Sequence, residues 1–349
     1  MALPATTYDT ATLVNPGSSL TDFTLIVDLS RMSAAWWAAV DTSDGTKGRA
    51  AKDSGPTELA CDWIDFDDSA ETGLLRVKWS GTLASSGTQT LRIYPPQAAN
   101  ASVAANATYG SDNAYDSDWA AYWPLHDAND RTANGYDLTA QGGVTAGGVS
   151  GKLDAATDFD GTDDGFWIVD TEIVTNPGTV MAWANPDVNS VNYAVWWAQT
   201  SVGTGTRRVL LSFTLYRGRE TGTSTGEAIN FTTVPTSTWS MSTFQMASST
   251  SRYTWFDKNK SSQNTTDPSI ANPTDDLGIG KSTTNDAPFN GSIQHVQVHS
   301  VSRADDWIEY EYDQTNDQAT FWGTWTNVPV AAGISIPVVM HHRRMMGVS

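Results

Sequence analysis

The sequence predicts an all-β protein, on three observations. Fifteen Trp, eleven Tyr and ten Phe stand among 349 residues, with abundant Thr, Ser, Gly and Asn, a composition that suits pleated, half-buried strands and turns. Short apolar runs recur down the chain with Gly, Asp, Asn and Ser between them, the spacing of an antiparallel sandwich. Only one segment carries a convincing helical pattern, and it lies near the end.

Residues 1–20 hold a single charge, Asp9, and two prolines, Pro4 and Pro16, and read as an extended N-terminal arm. A small β domain over 21–98 follows. Its strands are "FTLIVDLS", "LACDWIDF", "GLLRVKW" and "TQTLRIYPP", with "RMSAAWWAAV" as one short helix. Residues 99–116, rich in Ala and Asn and poor in large apolar side chains, read as a linker. The sandwich then spans 117–325. Its strand candidates are "WAAYWPL", "AATDFD", "GFWIVD", "TVMAWAN", "AVWWAQ", "RRVLLSFTLY", "EAINFTT", "TFQMASS", "RYTWFDK", "LGIGK" and "SIQHVQVHS". In "VSRADDWIEYEYDQ", Ser302 is placed to cap a helix, with Asp305 three residues later and Trp307, Ile308, Tyr310 and Tyr312 marking its apolar side. Residues 326–349 form a C-terminal tail. From Gln318 onward there is no Asp, Glu or Lys, and the tail gathers His341, His342, Arg343 and Arg344 behind an apolar run, which reads as a docking arm. No internal repeat points to a solenoid or propeller.

A formal charge of −19 argues against nucleic acid and anionic membrane as partners, since both repel such a surface. The single cysteine, Cys61, excludes an intrachain disulfide and a zinc cluster, and its apolar setting reads as a small buried hydrophobe. No stretch approaches a membrane span, and the N-terminal residues lack the basic and apolar regions of a secretory signal. The expectation is a protein made in a host cytoplasm.

"YWPLHDANDRTANGYDLTAQGGVTAGGVSGKLDAATDFDGTDDGFWIV", then "GTVMAWANP", "LGIGK" and "FNGSIQHVQVHSVSRADDWIEYEYD" follow one another between about residues 117 and 322. In this order they resemble the concanavalin A-like, laminin-G or pentraxin-like domain family. The part before them resembles a small β domain of unknown function that precedes such modules in bacterial surface and phage-encoded proteins. The resemblance implies a jelly-roll sandwich used mainly to bind glycans or proteins. Some relatives bind calcium at edge loops, and some are glycoside hydrolases. Fold alone does not choose among these.

The loop "DFDGTDDG" is the densest acidic feature. It fails as an EF-hand: counted from Asp158, the fifth position is Thr162, the sixth Asp163 and the twelfth Val169, where that loop needs an acidic residue, Gly and Glu. Two readings stand. Asp160 and Gly161 form a tight turn with Asp163 and Asp164 solvated beside it, or Asp160, Asp163 and Asp164 join Asp127 and Asp130 of "HDANDR" around a calcium ion. Gln294 and His295 occupy positions where relatives often carry acidic residues, which removes ligands from the second reading.

A glycosidase needs two carboxylates flanking a bond. The nearest local match, Glu309, Glu311 and Asp313 in "EYEYD", falls on the expected helix. No HExxH or phosphate-cradling loop occurs. Trp196, Trp197, Tyr253 and Trp255 are candidates for stacking on sugar rings, although adjacent residues on a strand face opposite ways and one of each Trp pair then belongs to the core.

These features lead to the expectation of a non-enzymatic phage virion protein, a head-decoration, fibre or tail-associated subunit. Its terminal arms would meet other virion proteins and its lectin-like domain a host-surface glycan. Repeated display makes a homo-oligomer or lattice contact the expected assembly. The alternatives are a bacterial calcium-dependent carbohydrate-binding protein and a glycoside hydrolase with an atypical site.

Overall fold

Strand β1 (Thr7–Val14), read from the sequence as a free arm, is an inner strand of a sheet. The computed structural model describes residues 7–14, 17–53, 57–85, 88–169, 173, 177–188, 194–202, 205–212, 215–220, 227–230, 235–248, 250–263, 265, 276–281 and 288–330, with backbone only for 14 and 194–230. Asp9 explains why β1 is built in. Its carboxylate is fully buried and accepts hydrogen bonds from the Ser33 amide, the Ser33 hydroxyl and the Asn327 amide group, so the lone charge of the segment is satisfied rather than stranded.

The N-terminal unit continues through β2 (Leu20–Asp28), the short helix α1 (Ala34–Trp37), β3 (Arg49–Lys52), β4 (Thr57–Leu59), β5 (Cys61–Asp67), β6 (Thr72–Leu83) and β7 (Thr88–Tyr94). Ser33 caps α1 by accepting from the Trp36 amide. Strands β2, β6 and β5 form one antiparallel sheet, and β1, β7, β3 and β4 lie in another. Alternating residues such as Leu25, Val27, Leu75, Val77, Leu91 and Ile93 fill one shared core.

Residues 117–330 carry β8 (Trp119–Trp123), β9 (Thr139–Gln141), β10 (Gly148–Ser150), β11 (Ala155–Asp160), β12 (Gly165–Ile168), β13 (Gly178–Pro186), β14 (Ala194–Val202), β15 (Gly205–Ser212), β16 (Leu215–Glu220), β17 (Glu227–Asn230), β18 (Ser240–Ser248), β19 (Ser251–Phe256), β20 (Asn259–Lys260), β21 (Asp276–Ile279), β22 (Asn290–His299), helices α2 (Asp305–Asn316) and α3 (Gln318–Trp322), and β23 (Thr326–Pro329). The expected single strand "RRVLLSFTLY" is two strands, β15 and β16, paired as a hairpin. One sheet runs β10-β11-β22-β13-β18-β19-β20, with β8 also on β22, and the other runs β17-β16-β15-β14-β21-β12-β9. All pairings are antiparallel, so the chain is all-β with a two-sheet sandwich. Phe159, Val180, Phe244, Ile293 and Val298 from one sheet and Phe166, Leu277 and Ile279 from the other share its core.

Strand β22 contains a bulge. His295 has φ +52°, and the register against β13 shifts between Gln294, opposite Trp183, and Gln297, opposite Met181. The extra residue lets Ile293, Val296 and Val298 all reach the core, which strict alternation would forbid.

Helix α2 begins later than its sequence suggests. Ala304, not Ser302, is the N-cap, and it makes no side-chain capping bond; Asp305 and Asp306 stand in the first turn, where negative charge suits the helix dipole. The helix is wedged between the two β units. On one side Trp183 stacks on Tyr312 at 5.4 Å and His299 meets Trp307 at 4.9 Å; on the other, Phe23 contacts Trp307 and Tyr310 at 5.2 and 5.1 Å. Glu311 is fully buried and takes a 3.0 Å ion pair from Arg76 of β6, while Gln297 of β22 donates to it at 2.6 Å.

The same helices close the edge of β2. Gln314 accepts from the Ile26 amide at 2.8 Å and donates to the Thr24 carbonyl at 3.2 Å. Gln318 accepts from the Asp28 amide at 3.0 Å and donates to the Ile26 carbonyl at 3.1 Å. Two glutamine side chains four residues apart thus stand in for a neighbouring strand.

These contacts alter the domain layout expected from sequence. The segment expected as a linker contributes buried Asn100, Ala114 and Tyr115, with the Thr24 hydroxyl donating to the Ala114 carbonyl at 2.9 Å and the Tyr115 hydroxyl to Asp62 at 2.8 Å. The first residues of the expected tail form β23, which pairs with β1. Small, polar linker residues leave little hydrophobic signal, so the sequence hides that a few of them are buried against the N-terminal unit.

Candidate functional site

The acidic loop joins the two layers of the sandwich. Strand β11 ends at Asp160 in one sheet and β12 begins at Gly165 in the other. Gly161 supplies the left-handed turn at φ +74°. One oxygen of Asp160 accepts from the Thr162 amide at 2.7 Å and the Asp163 amide at 3.3 Å, and Asp164 accepts from the Asp160 amide at 3.2 Å. The turn reading of this loop is therefore realised in its hydrogen bonds.

Carboxylate oxygens of Asp160, Asp163 and Asp164 lie within 4.8 Å of one another. The Thr162 amide, with those of Asp163 and Asp164, holds the Asp160 carboxyl below the ordinary range, whereas burial and the neighbouring Asp160, Asp163 and Asp158 charges raise that of Asp164. A ring of hard oxygens fits calcium in kind, but calcium takes six to eight ligands. One Asp160 oxygen already serves two amides, and the Asp163 carbonyl accepts from Lys281 Nζ at 2.8 Å. Three carboxylates with water or further main-chain oxygens would have to complete the shell.

Asp127 and Asp130 do not join this group. Asp130 spends both oxygens on its own loop, accepting from the amides of Tyr122, Thr132 and Tyr136 at 2.9 to 3.0 Å and from the Thr132 hydroxyl at 2.9 Å. Asp127 is bound to Asn129 and lies 3.2 Å from His126. Burial alone would raise its carboxyl, but His126 and Asn129 outweigh burial and bring it to about 2. The five-carboxylate calcium site expected from sequence is thus reduced to three residues, because short-range turn bonding claims the other two.

The aromatic candidates also divide. Trp255 is buried to 2% exposure in the same core as Trp183 and Trp307, and donates its indole N–H to Gln245 at 3.1 Å, so it offers no stacking face. Tyr253 is half-buried, and Lys260 Nζ sits 3.8 Å from its ring centroid, occupying the face a sugar would need. Trp196 and Trp197 are placed by register on β14, opposite Ile279 and Gly278 respectively; their side chains lie outside the described residues. Trp167 of β12, which the sequence reading passed over, is also opposite Gly278. Trp167, Gly278 and Trp197 therefore form one row across three strands. Trp167 is half-buried, its indole N–H has no partner among the described residues, and Lys281 Nζ stands 5.8 Å from its ring.

Residues His341, His342, Arg343 and Arg344 lie outside the described residues. Gln294 and His295 are fully buried and structural. Gln294 accepts from the Lys152 and Leu153 amides and donates to the Ala155 carbonyl, and His295 Nδ1 lies 2.7 Å from the Tyr122 hydroxyl. Glu309, Glu311 and Asp313 sit on α2, with Glu311 committed to Arg76. Burial pushes the Cys61 thiol up to about 12, which keeps it protonated and unreactive. No helix among the described residues is long and apolar enough to cross a membrane.

No family model and no curated protein matches this chain. Among solved structures, domain 4 of AbnA, a GH43 extracellular arabinanase from Geobacillus stearothermophilus, in complex with arabinotriose, is similar over 56% of this chain and 98% of its own, at 17% identity and a TM-score of 0.46. The binding domain of Paraclostridial Mosquitocidal Protein 1 is similar over 59% of this chain and 55% of its own, at 11% identity and a TM-score of 0.44. The receptor-binding domain of the botulinum neurotoxin C/D mosaic serotype is similar over 56% and 51%, at 10% identity and a TM-score of 0.41. This chain thus spans about half the length of those two toxin chains. Likeness at this level carries no argument about ligand.

Proposed function

We propose that this chain is a non-enzymatic binding subunit of a phage virion, a head-decoration, fibre or tail-associated protein presenting a lectin-like sandwich. The observation that carries the reading is a segregation of charge and structure. Both β units are welded around the buried Arg76–Glu311 pair. Residues 331–349 contribute two arginines and no acid, which leaves −21 on the rest of a chain whose total is −19. A strongly acidic body resists self-association, so a basic, apolar segment at one end suits attachment to an acidic neighbour. In this reading the tail anchors the subunit, and the sandwich loops and the Trp167–Gly278–Trp197 row meet a glycan or a protein.

Calcium-dependent glycan binding is a second reading, favoured by the convergence of Asp160, Asp163 and Asp164. The glycosidase reading loses its nearest carboxylate set, because Glu311 is buried against Arg76.

Deleting residues 331–349 tests the first reading. Purified particles should lose the subunit by mass spectrometry, while the truncated protein keeps its thermal transition. A truncated chain that still enters particles, or a chain never found in them, rejects it. Glycan-array binding that requires calcium and disappears in Asp160→Ala would establish the second.

A further inference from the structure

A groove of about 500 Å³ runs between β1 and the α2–α3 corner, within the size range of ligand pockets. Tyr310, Phe321 and Trp322 form its aromatic wall, and Thr12, Asp313 and Asp317 stand at its rim. Tyr310 is only 3% exposed, yet its hydroxyl has no hydrogen-bond partner among the described residues. Buried hydroxyls are rarely left unpaired, so this wall is short of one polar contact. Phe321 is half-buried and lies 5.0 Å from Tyr310 and 5.1 Å from Trp322.

We propose that this groove receives the C-terminal segment, residues 331–349, of a second copy of the chain. This rests on the reading of that segment as a docking arm and adds the surface it docks to. Apolar residues Ile334, Ile336, Val338, Val339 and Met340 match the aromatic wall, and Arg343 and Arg344 match the acidic rim, where Asp313 also pairs with Lys258 at 2.6 Å and Asp317 also accepts from Thr320.

Strand direction favours a second copy over the same one. Strand β23 runs antiparallel to β1, from Thr326 opposite Thr10 to Pro329 opposite Thr7. Groove residue Thr12 lies at the other end of β1, so the chain leaves heading away from the groove, about 17 Å from it at 3.4 Å per residue. Arg343 is thirteen residues beyond Val330, a reach of up to about 45 Å, but to enter its own groove the segment would have to reverse the direction in which β23 leaves.

The test uses the full chain, the chain ending at Val330, and a synthetic peptide of residues 331–349. Light scattering should show concentration-dependent association of the full chain that the truncated chain lacks. By calorimetry the peptide should bind the truncated chain one to one. Binding should weaken at least tenfold with Thr12→Trp, which fills the groove from an exposed position, with Asp313→Lys, or with Arg343→Glu and Arg344→Glu in the peptide. Peptide binding that Thr12→Trp and Asp313→Lys leave unchanged overturns the groove. So does a full chain that stays monomeric, or an oligosaccharide whose binding is lost with Thr12→Trp. If deletion of 331–349 removes the subunit from particles but Thr12→Trp does not, the virion reading stands and the groove assignment fails.

Discussion

Glu311→Gln removes one charge from the joint between the β units while keeping the side chain's shape. Both partners of the Arg76–Glu311 pair have no solvent exposure, and Nη2 lies 3.0 Å from Oε1. At an effective dielectric of about 20, two charges at that distance attract by roughly 5 kcal/mol. Gln at 311 keeps a polar contact but leaves the Arg76 guanidinium buried, with only the Tyr122 ring at 4.7 Å and the Trp119 ring at 5.7 Å to offset its desolvation. Removing one partner of a buried pair typically destabilises by about 3–5 kcal/mol. With an m-value near 3 kcal/mol/M, that is a urea midpoint lower by about 1–1.7 M, readable in Trp fluorescence because Trp119, Trp183 and Trp307 surround the joint. Arg76→Met with Glu311→Met should recover only part of the loss, since Gln297 and Gln314 also donate to Glu311 and each would lose its acceptor. A shift below about 1 kcal/mol for Glu311→Gln would refute the view of α2 as a desolvated keystone.

Asp160→Ala removes the acceptor of the Thr162 and Asp163 amides and should cost about 1 kcal/mol of thermal stability without added metal; any further stabilisation that millimolar calcium gives the parent should vanish. Gly142→Ala should loosen the same loop, because Gly142 sits at φ +72° and a Cβ would fall 2.0 Å from the Asp163 carbonyl; hydrogen exchange of the Thr162 and Asp163 amides should rise. Trp255→Ala should destabilise by about 3–5 kcal/mol as a core deletion, leaving any glycan binding by the intact fold unchanged. Burial holds His295 and His299 well below 6.5, with Arg76 adding to the effect for both and Arg303 for His299. Their folded-state pKa values are depressed, so the unfolded chain takes up protons first as pH falls below 6.5. Stability should then drop by about 1.4 kcal/mol per pH unit per histidine until the folded-state value is reached; a urea midpoint constant between pH 6.5 and 5.5 would contradict this.

Local pattern carried much of the architecture. The unbroken apolar run in "TVMAWAN" marks β13 because both of its faces are buried, one in the sandwich core and the other toward α2. The acidic loop was legible as a turn because Asp160 and Gly161 act within four residues. Long-range burial was not legible. Trp255 looks the same in sequence whether it faces a sugar or a core shared with a helix fifty residues away. The β22 bulge did leave a mark, since "SIQHVQV" breaks alternation between Ile293 and Val296, where the inserted His295 restores both to one face. Asp130 is acidic in sequence but already saturated in the fold, which composition cannot show.

The glutamine-lined edge of β2 has a consequence for synthesis. Ile26 and Gln314 are separated by 288 residues, and at ribosomal rates of about 5–20 residues per second that interval lasts roughly 15–60 s. Throughout it the nascent N-terminal sheet carries an open edge, and Arg76 waits without its counter-charge. Chaperone dependence should therefore concentrate in this window, and stalled or prematurely terminated chains ending before residue 305 should aggregate through β2 while completed chains do not.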